Sequence, residues 1–149
     1  MAKRILVPLT QAPPAASFLR TLGDLARGAG ASVRLLHVAR PTEALRDADD
    51  HVVAYADQEA ARVAAEVRDF FETVALDLDG APVESAVRFG EPVAEILAEA
   101  DEFGADLIML PAGPRAQYPL HRDVAARVFR RAAAPVALVR AAQHEADAR

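Results

Sequence analysis

Hydrophobic positions along the chain fall into two alternating patterns. Short runs are apolar almost throughout, and between them lie longer stretches in which apolar residues recur every three or four positions. The short runs are Lys3–Leu9, Ser32–Val38, Val83–Phe89, Asp106–Pro111 and Pro135–Val139. Most have the composition of strands buried on both faces, which pair in parallel. The periodic stretches place Phe18, Leu22, Leu25 and Ala29 on one helical face and Val63, Val67, Phe70 and Val74 on a second. Val93, Ile96, Leu97 and Ala100 form a third, and Val124, Val128, Phe129 and Ala132 a fourth. Gly28 and Gly30 follow the first helix, Gly80 follows the second, Gly104 closes the third, and Pro92 suits the third helix's opening turn.

Strands alternating with helices through right-handed crossovers predict an α/β fold. The expected form is a five-stranded, parallel, doubly wound (Rossmann-like) sheet with helices on both faces, in a single domain over residues 1–140. Two segments fall outside the core pattern: residues 41–53, acidic and expected to be mobile, and a polar C-terminal tail over 141–149. A loop from Ala112 to about His121 has no periodicity and contains Gly113, Pro114 and Pro119. No internal repeat is visible.

Composition narrows the chemistry. At 149 residues with 52% hydrophobic content the chain has the material for one ordinary core and needs no staple. It contains no cysteine, which excludes a disulfide scaffold, a thiolate zinc site, an iron–sulfur cluster and a cysteine nucleophile. The net charge of −5 and the scattered basic residues show no nucleic-acid footprint. The opening apolar run is too short for a signal-peptide core or a membrane span, so a cytoplasmic protein is expected.

Open sheets of this kind bind ligands beyond the carboxyl ends of their strands, at the point where strand order reverses. The ends to inspect are Leu9–Ala12, Val38–Arg40, Gly90 and Pro111–Arg115. Several segments at or near these ends are distinctive: Ile5-Leu6-Val7-Pro8-Leu9, Leu35-Leu36-His37-Val38 and Val87-Arg88-Phe89-Gly90-Glu91-Pro92. With Ala105-Asp106-Leu107-Ile108-Met109-Leu110 and Ala134-Pro135-Val136-Ala137-Leu138-Val139, the ordered set resembles the universal stress protein family over nearly the whole chain. The resemblance implies a homodimeric, stress-related α/β domain, often with ATP bound after the fourth strand. Fold transfers more safely than ligand.

ATP-binding members of that family carry Gly-x2-Gly-x9-Gly-[Ser/Thr] after the fourth strand. The glycines bring backbone N–H groups close to phosphates, and the hydroxyl residue opens a helix whose start favours anions. Here the first two glycine positions fall on Pro111 and Pro114, which have no N–H to donate, and the last pair on Arg122 and Asp123. Seven residues, Arg115 to His121, stand where the pattern has nine. Asp123 at a helix start places a negative charge where a phosphate would sit, and Thr10 replaces the acidic residue that the ATP-binding relatives carry after the first strand. The expectation is a degenerate motif, no cofactor and no tight binding of ATP. The alternative is a small-ligand sensor that holds ATP or another phosphorylated ligand through Thr10, Val38, the Gly113 backbone, Arg115, Arg122 and the region of Asp123, with His121 close by.

Other constellations carry less. Asp47, Asp49, Asp50 and His51 form a compact acidic cluster without the glycine or the late glutamate of a calcium loop, so no metal site is expected. His37 lies inside a strand pattern and reads as a satisfied near-core imidazole. Neither Ser17 nor Ser85 has a glycine elbow, and Ser32 opens a strand. No strand end offers a candidate catalytic group, so the chain is read as a non-enzyme acting through an unidentified protein partner. The last strand, Val136, Ala137, Leu138 and Val139, would lie at a sheet edge. Together with the resemblance, that edge predicts a homodimer in which the strand pairs with its copy.

Overall fold

The computed structural model describes residues 3–41, 44–112 and 122–140, the side chains of Leu45, Val53, Ala54 and Arg122 excepted. The elements run β1 (Arg4–Pro8), α1 (Ala16–Ala29), β2 (Ser32–Ala39), β3 (Leu45–Arg46), β4 (Val52–Ala54), α2 (Ala56–Leu76), β5 (Val83–Phe89), α3 (Pro92–Phe103), β6 (Leu107–Ala112), α4 (Arg122–Arg131) and β7 (Val136–Arg140). Five of the strands form one sheet in the order β5-β2-β1-β6-β7, every pair parallel. The expected strands and fold class are thus found, each strand within one or two residues of its predicted ends.

Alternation along the strands builds two cores, one on each face of the sheet. Ile5, Val7, Leu9, Val33, Leu35 and Met109 turn to the face covered by α1 and α2, where Phe18, Leu22, Val67, Phe71 and Val74 meet them. Leu6, Leu36, Ile108 and Leu110 turn the other way, onto Val93 and Ile96 of α3 and Val128 of α4. Helix boundaries follow local chemistry. The Glu91 carboxylate accepts the Ala94 N–H at 2.7 Å and Pro92 occupies the first turn of α3, which Gly104 ends in the left-handed conformation at φ 69°. At the start of α2, Gln58 accepts the Tyr55 N–H at 2.9 Å.

Several details differ from the sequence expectation, among them α2, where Phe71 rather than Phe70 is the buried phenylalanine. On α1 the buried residues are Ser17, Phe18, Leu19, Leu22, Gly23 and Ala26, while Leu25 is 41% exposed. The buried stripe is therefore rotated from the Phe18, Leu22, Leu25, Ala29 face, because Leu19 and Ala26 continue it more closely at helical spacing. Gly28 lies within α1, and Gly30 alone supplies its left-handed cap. Residues 44–53 do not simply loop out. β3 and β4 pair antiparallel around a turn in which Asp47 Oδ1 accepts the N–H groups of Asp49 and His51 at 3.0 and 2.9 Å, and Asp50 takes φ 63°.

Candidate functional site

Strand order reverses between β1 and β6, so the ligand end of this sheet lies where β1 gives way to Thr10 and β6 ends at Ala112. Beyond β1 the Thr10 hydroxyl oxygen accepts the Ala12 N–H at 3.2 Å, a local turn that ties this side chain to the backbone leading to Pro13 and Pro14 and leaves its O–H to donate. His37, near the end of β2, has Nδ1 at 3.0 Å from the Leu9 carbonyl. A carbonyl only accepts, so this bond needs the Nδ1–H tautomer, and the imidazole is satisfied as expected. Val38 is half-buried and packs against the core beneath α3. Gly90 donates its N–H to the Ala39 carbonyl at 3.0 Å and extends the β2–β5 ladder past the last strand residue.

On the fourth-strand side of the site, carboxylates stand at two helix starts. Asp123 stands in the first turn of α4 with its side chain 77% exposed, and its contact with Arg127 is long, at 3.8 Å. The same Arg127 guanidinium lies 3.5 Å from Glu91, the cap of α3. Hydrogen bonding from the Ala94 N–H, then from Val93, and the charges of Arg127 and Arg131 hold the Glu91 carboxyl below its ordinary pKa. Both helix starts on this face therefore carry a carboxylate. Pro111 is buried at the end of β6 in register with Val139. Gly113, Arg115 and His121 lie outside the described residues. Arg122 opens α4, with its side chain outside them as well.

The predicted edge strand is at an edge. Among the described residues Val136, Ala137, Leu138 and Val139 pair with β6 alone, Leu138 opposite Leu110, and Leu138 is 46% exposed. Phe129 is 56% exposed, contrary to its assignment to the inner face of α4. Ala125 and Val128 hold that face, with Val124 and Ala132 partly buried beside them. The acidic cluster survives in space: one ligand atom each from Asp47, Asp49 and His51 lies within 4.8 Å of the others, all exposed. The turn hydrogen bonds of Asp47 account for this grouping.

Sequence reasoning missed a network on the α3 side of the sheet. Arg34 on β2 contacts Glu84 on β5 at 2.8 Å and Glu99 on α3 at 2.5 Å. Arg88 on β5 contacts Glu99 at 2.7 Å and Glu95 at 3.2 Å, and also bonds Glu102. Burial alone would raise the pKa of Glu99, whose side chain is only 7% exposed, but the hydrogen bonds and charges of Arg88 and Arg34 outweigh it and hold the carboxyl low. The Arg34 guanidinium also lies 4.1 Å from the Phe103 ring centre. The signal was present in the sequence: Glu84 and Arg88 fall on the same strand face, and Glu95, Glu99 and Glu102 recur at helical spacing.

No helix among the described residues is long and apolar enough to cross a membrane. No protein of curated function matches the sequence. Among solved structures, a universal stress protein in complex with cAMP is similar at 17% identity and a TM-score of 0.64, covering 95% of this chain and 98% of its own. The universal stress protein of Archaeoglobus fulgidus in complex with dAMP aligns at 21% identity and a TM-score of 0.59, over 93% of this chain and 97% of that one. A family protein from Arabidopsis thaliana with AMP bound aligns at 19% identity and a TM-score of 0.62, over 96% and 94%. These likenesses are of fold. The sequence profile of the universal stress protein family matches residues 1–140, and the chain belongs to that family.

Proposed function

We propose that the chain is a non-enzymatic stress-response and regulatory module of the cytoplasm, working through protein contacts and not holding ATP tightly. The observation that carries this reading is Asp123, an exposed carboxylate in the first turn of the helix whose start would receive a phosphate. Two further features support it. Glu91 already occupies the neighbouring helix start, and Pro111 has no N–H to offer at the end of β6. The Thr10 hydroxyl accepts from Ala12 and His37 Nδ1 is held by a carbonyl, which leaves no nucleophile activated by a base among the described residues at the strand ends. The test is equilibrium titration with ATP, AMP, cAMP and inorganic phosphate on protein stripped of nucleotide. No saturation by ATP up to millimolar is expected. A micromolar constant, about −8 kcal/mol, would overturn the reading.

The structures of relatives with AMP, dAMP and cAMP favour a second reading, a sensor for a nucleoside monophosphate. One phosphate demands less of a glycine cradle than three. Thr10, the Val38 backbone, Gly113, Arg115 and Arg122 would hold it, and saturation by AMP without ATP would select this reading.

The module is read as a homodimer through Val136, Ala137, Leu138 and Val139. Joining two β7 edges would continue the sheet, and at about 4.8 Å per strand it would bring the two α4 helices about 10 Å apart, the distance of packed helices. Arg127 and Arg131 mark the flank of α4 nearest α3, and Phe129 lies two residues from each, about half a turn round, on the flank toward the partner. Sedimentation at micromolar concentration tests this. A monomer would remove the dimer from the reading.

A further inference from the structure

The charges of this chain are unevenly divided. Residues 107–140 carry six arginines and one acid, Asp123, whereas the remainder carries eleven basic residues and twenty-one acids. In an acid-rich chain arginines readily find carboxylates, and elsewhere they do: Arg27, Arg34, Arg46, Arg62 and Arg88 each meet at least one. Arg130 and Arg131, exposed at the end of α4, have no ion-pair partner among the described residues. Beside Arg131, between α3 and α4, runs a groove of about 610 Å³. Its walls are Leu97, Ala100, Ala132 and Ala134 over a floor of Ile108, with Arg131 on the α4 side and Asp101 on the α3 side. The groove opens toward the amino ends of the strands, opposite the ligand end, and on the flank of α4 away from Phe129.

We infer that this groove, with Arg131 on its wall and the exposed Arg130 next to it, forms a docking surface for a short acidic segment of a partner protein, with a bulky apolar side chain in the alanine-lined groove and carboxylates on Arg130 and Arg131. The inference rests on the reading of the chain as a module working through protein contacts, and it names the chemistry of the contact. Charge complementarity selects the occupant. A protein of net −5 repels polyanions at long range, so only a local field can hold one, and a short acidic segment matches the extent of that field. A nucleic acid, with a charge every 1.7 Å or so, would extend over the acidic remainder of the surface. Asp101 sets the direction: the acids of the segment must run along α4.

The probe is a fluorescein-labelled peptide of about ten residues, acidic residues flanking two leucines, followed by anisotropy at low and high salt on the full chain. Saturable binding that weakens with salt is expected. R130E/R131E and, separately, A98W, which crowds the groove from its exposed rim, should each weaken it by at least about tenfold, or about 1.4 kcal/mol. R68E makes the same charge change on α2 at an exposed arginine and should leave binding unchanged. Equal binding by R130E/R131E, equal binding by a peptide with serine in place of leucine, or tighter binding of a single-stranded oligonucleotide would each overturn the inference. So would binding that appears only after residues 141–149 are removed, which would assign the groove to the chain's own tail. Sedimentation of the same variants keeps the outcomes apart. If R130E/R131E loses both dimer and peptide, A98W decides, because peptide loss from an intact A98W dimer supports the groove and retention refutes it. Failure of the peptide beside an intact, nucleotide-free dimer removes this inference and leaves the proposed function standing.

Discussion

The two helices on one face of the sheet use arginine in opposite ways. Beneath α3, Arg34 and Arg88 are three-quarters buried and close a network with Glu84, Glu95, Glu99 and Glu102. At the end of α4, Arg130 and Arg131 stand exposed without an ion pair among the described residues. Sequence position explains the difference. The arginines under α3 sit on strands, where the alternating face points them under a helix that supplies an acid about every turn. Those of α4 sit at the end of a helix whose last turn contains no acid. The first set is therefore fixed by the fold. The second is available to something outside it.

The comparison is broken most directly at Glu99. E99A leaves two partly buried guanidinium groups short of their shared partner and should cost about 3 kcal/mol in urea unfolding. The acid dependence has a definite sign. Because the folded pKa of Glu99 is lowered, its contribution is fully present above the unfolded value of about 4.3 and is lost as pH falls through the lower, folded value. The wild type should lose stability across that window, and E99Q should lose less over the same titration. Next in size, L138D places a charge on the exposed edge of β7 and should weaken the proposed dimer by at least about tenfold, or 1.4 kcal/mol, in sedimentation, with the monomer still folded by circular dichroism. G104A forces a side chain into a left-handed cap where its Cβ would meet Arg4 Nη1 at 3.2 Å, and should cost about 1 kcal/mol in thermal unfolding. Smallest of all, R130A/R131A should shift folding stability by less than about 0.5 kcal/mol. A loss there as large as that of E99A would erase the contrast between the two helices.

The fold was legible because most strands are largely apolar runs and Gly30, Glu91 and Gly104 mark helix ends, so local signals and global topology agree. Legibility failed where an answer depended on the rotation of a helix. Leu25 and Phe129 are apolar at helical spacing, yet neighbouring alanines and Leu19 complete the buried stripe more closely and turn both outward. It failed also where charges meet across elements, since nothing local in Arg34 announces Glu99, sixty-five positions away. The candidate site was partly legible. Asp123 stands in the predicted first turn, Thr10 lies just past the first strand and His37 inside the second, as predicted. Their hydrogen bonds to Ala12 and Leu9 depend on the backbone path and left no mark in the sequence.

The sheet divides the core into two halves, and β1 feeds both, Ile5 and Val7 into one and Leu6 into the other. β7 is only half-buried and is held from one side. Local opening is easiest where few buried contacts must be broken. Amide hydrogens of β1 should therefore exchange with deuterium only when the whole domain unfolds, and those of β7 through small openings that leave the rest intact. The edge assigned to meet another chain is then also the part of the sheet that samples an open state most often.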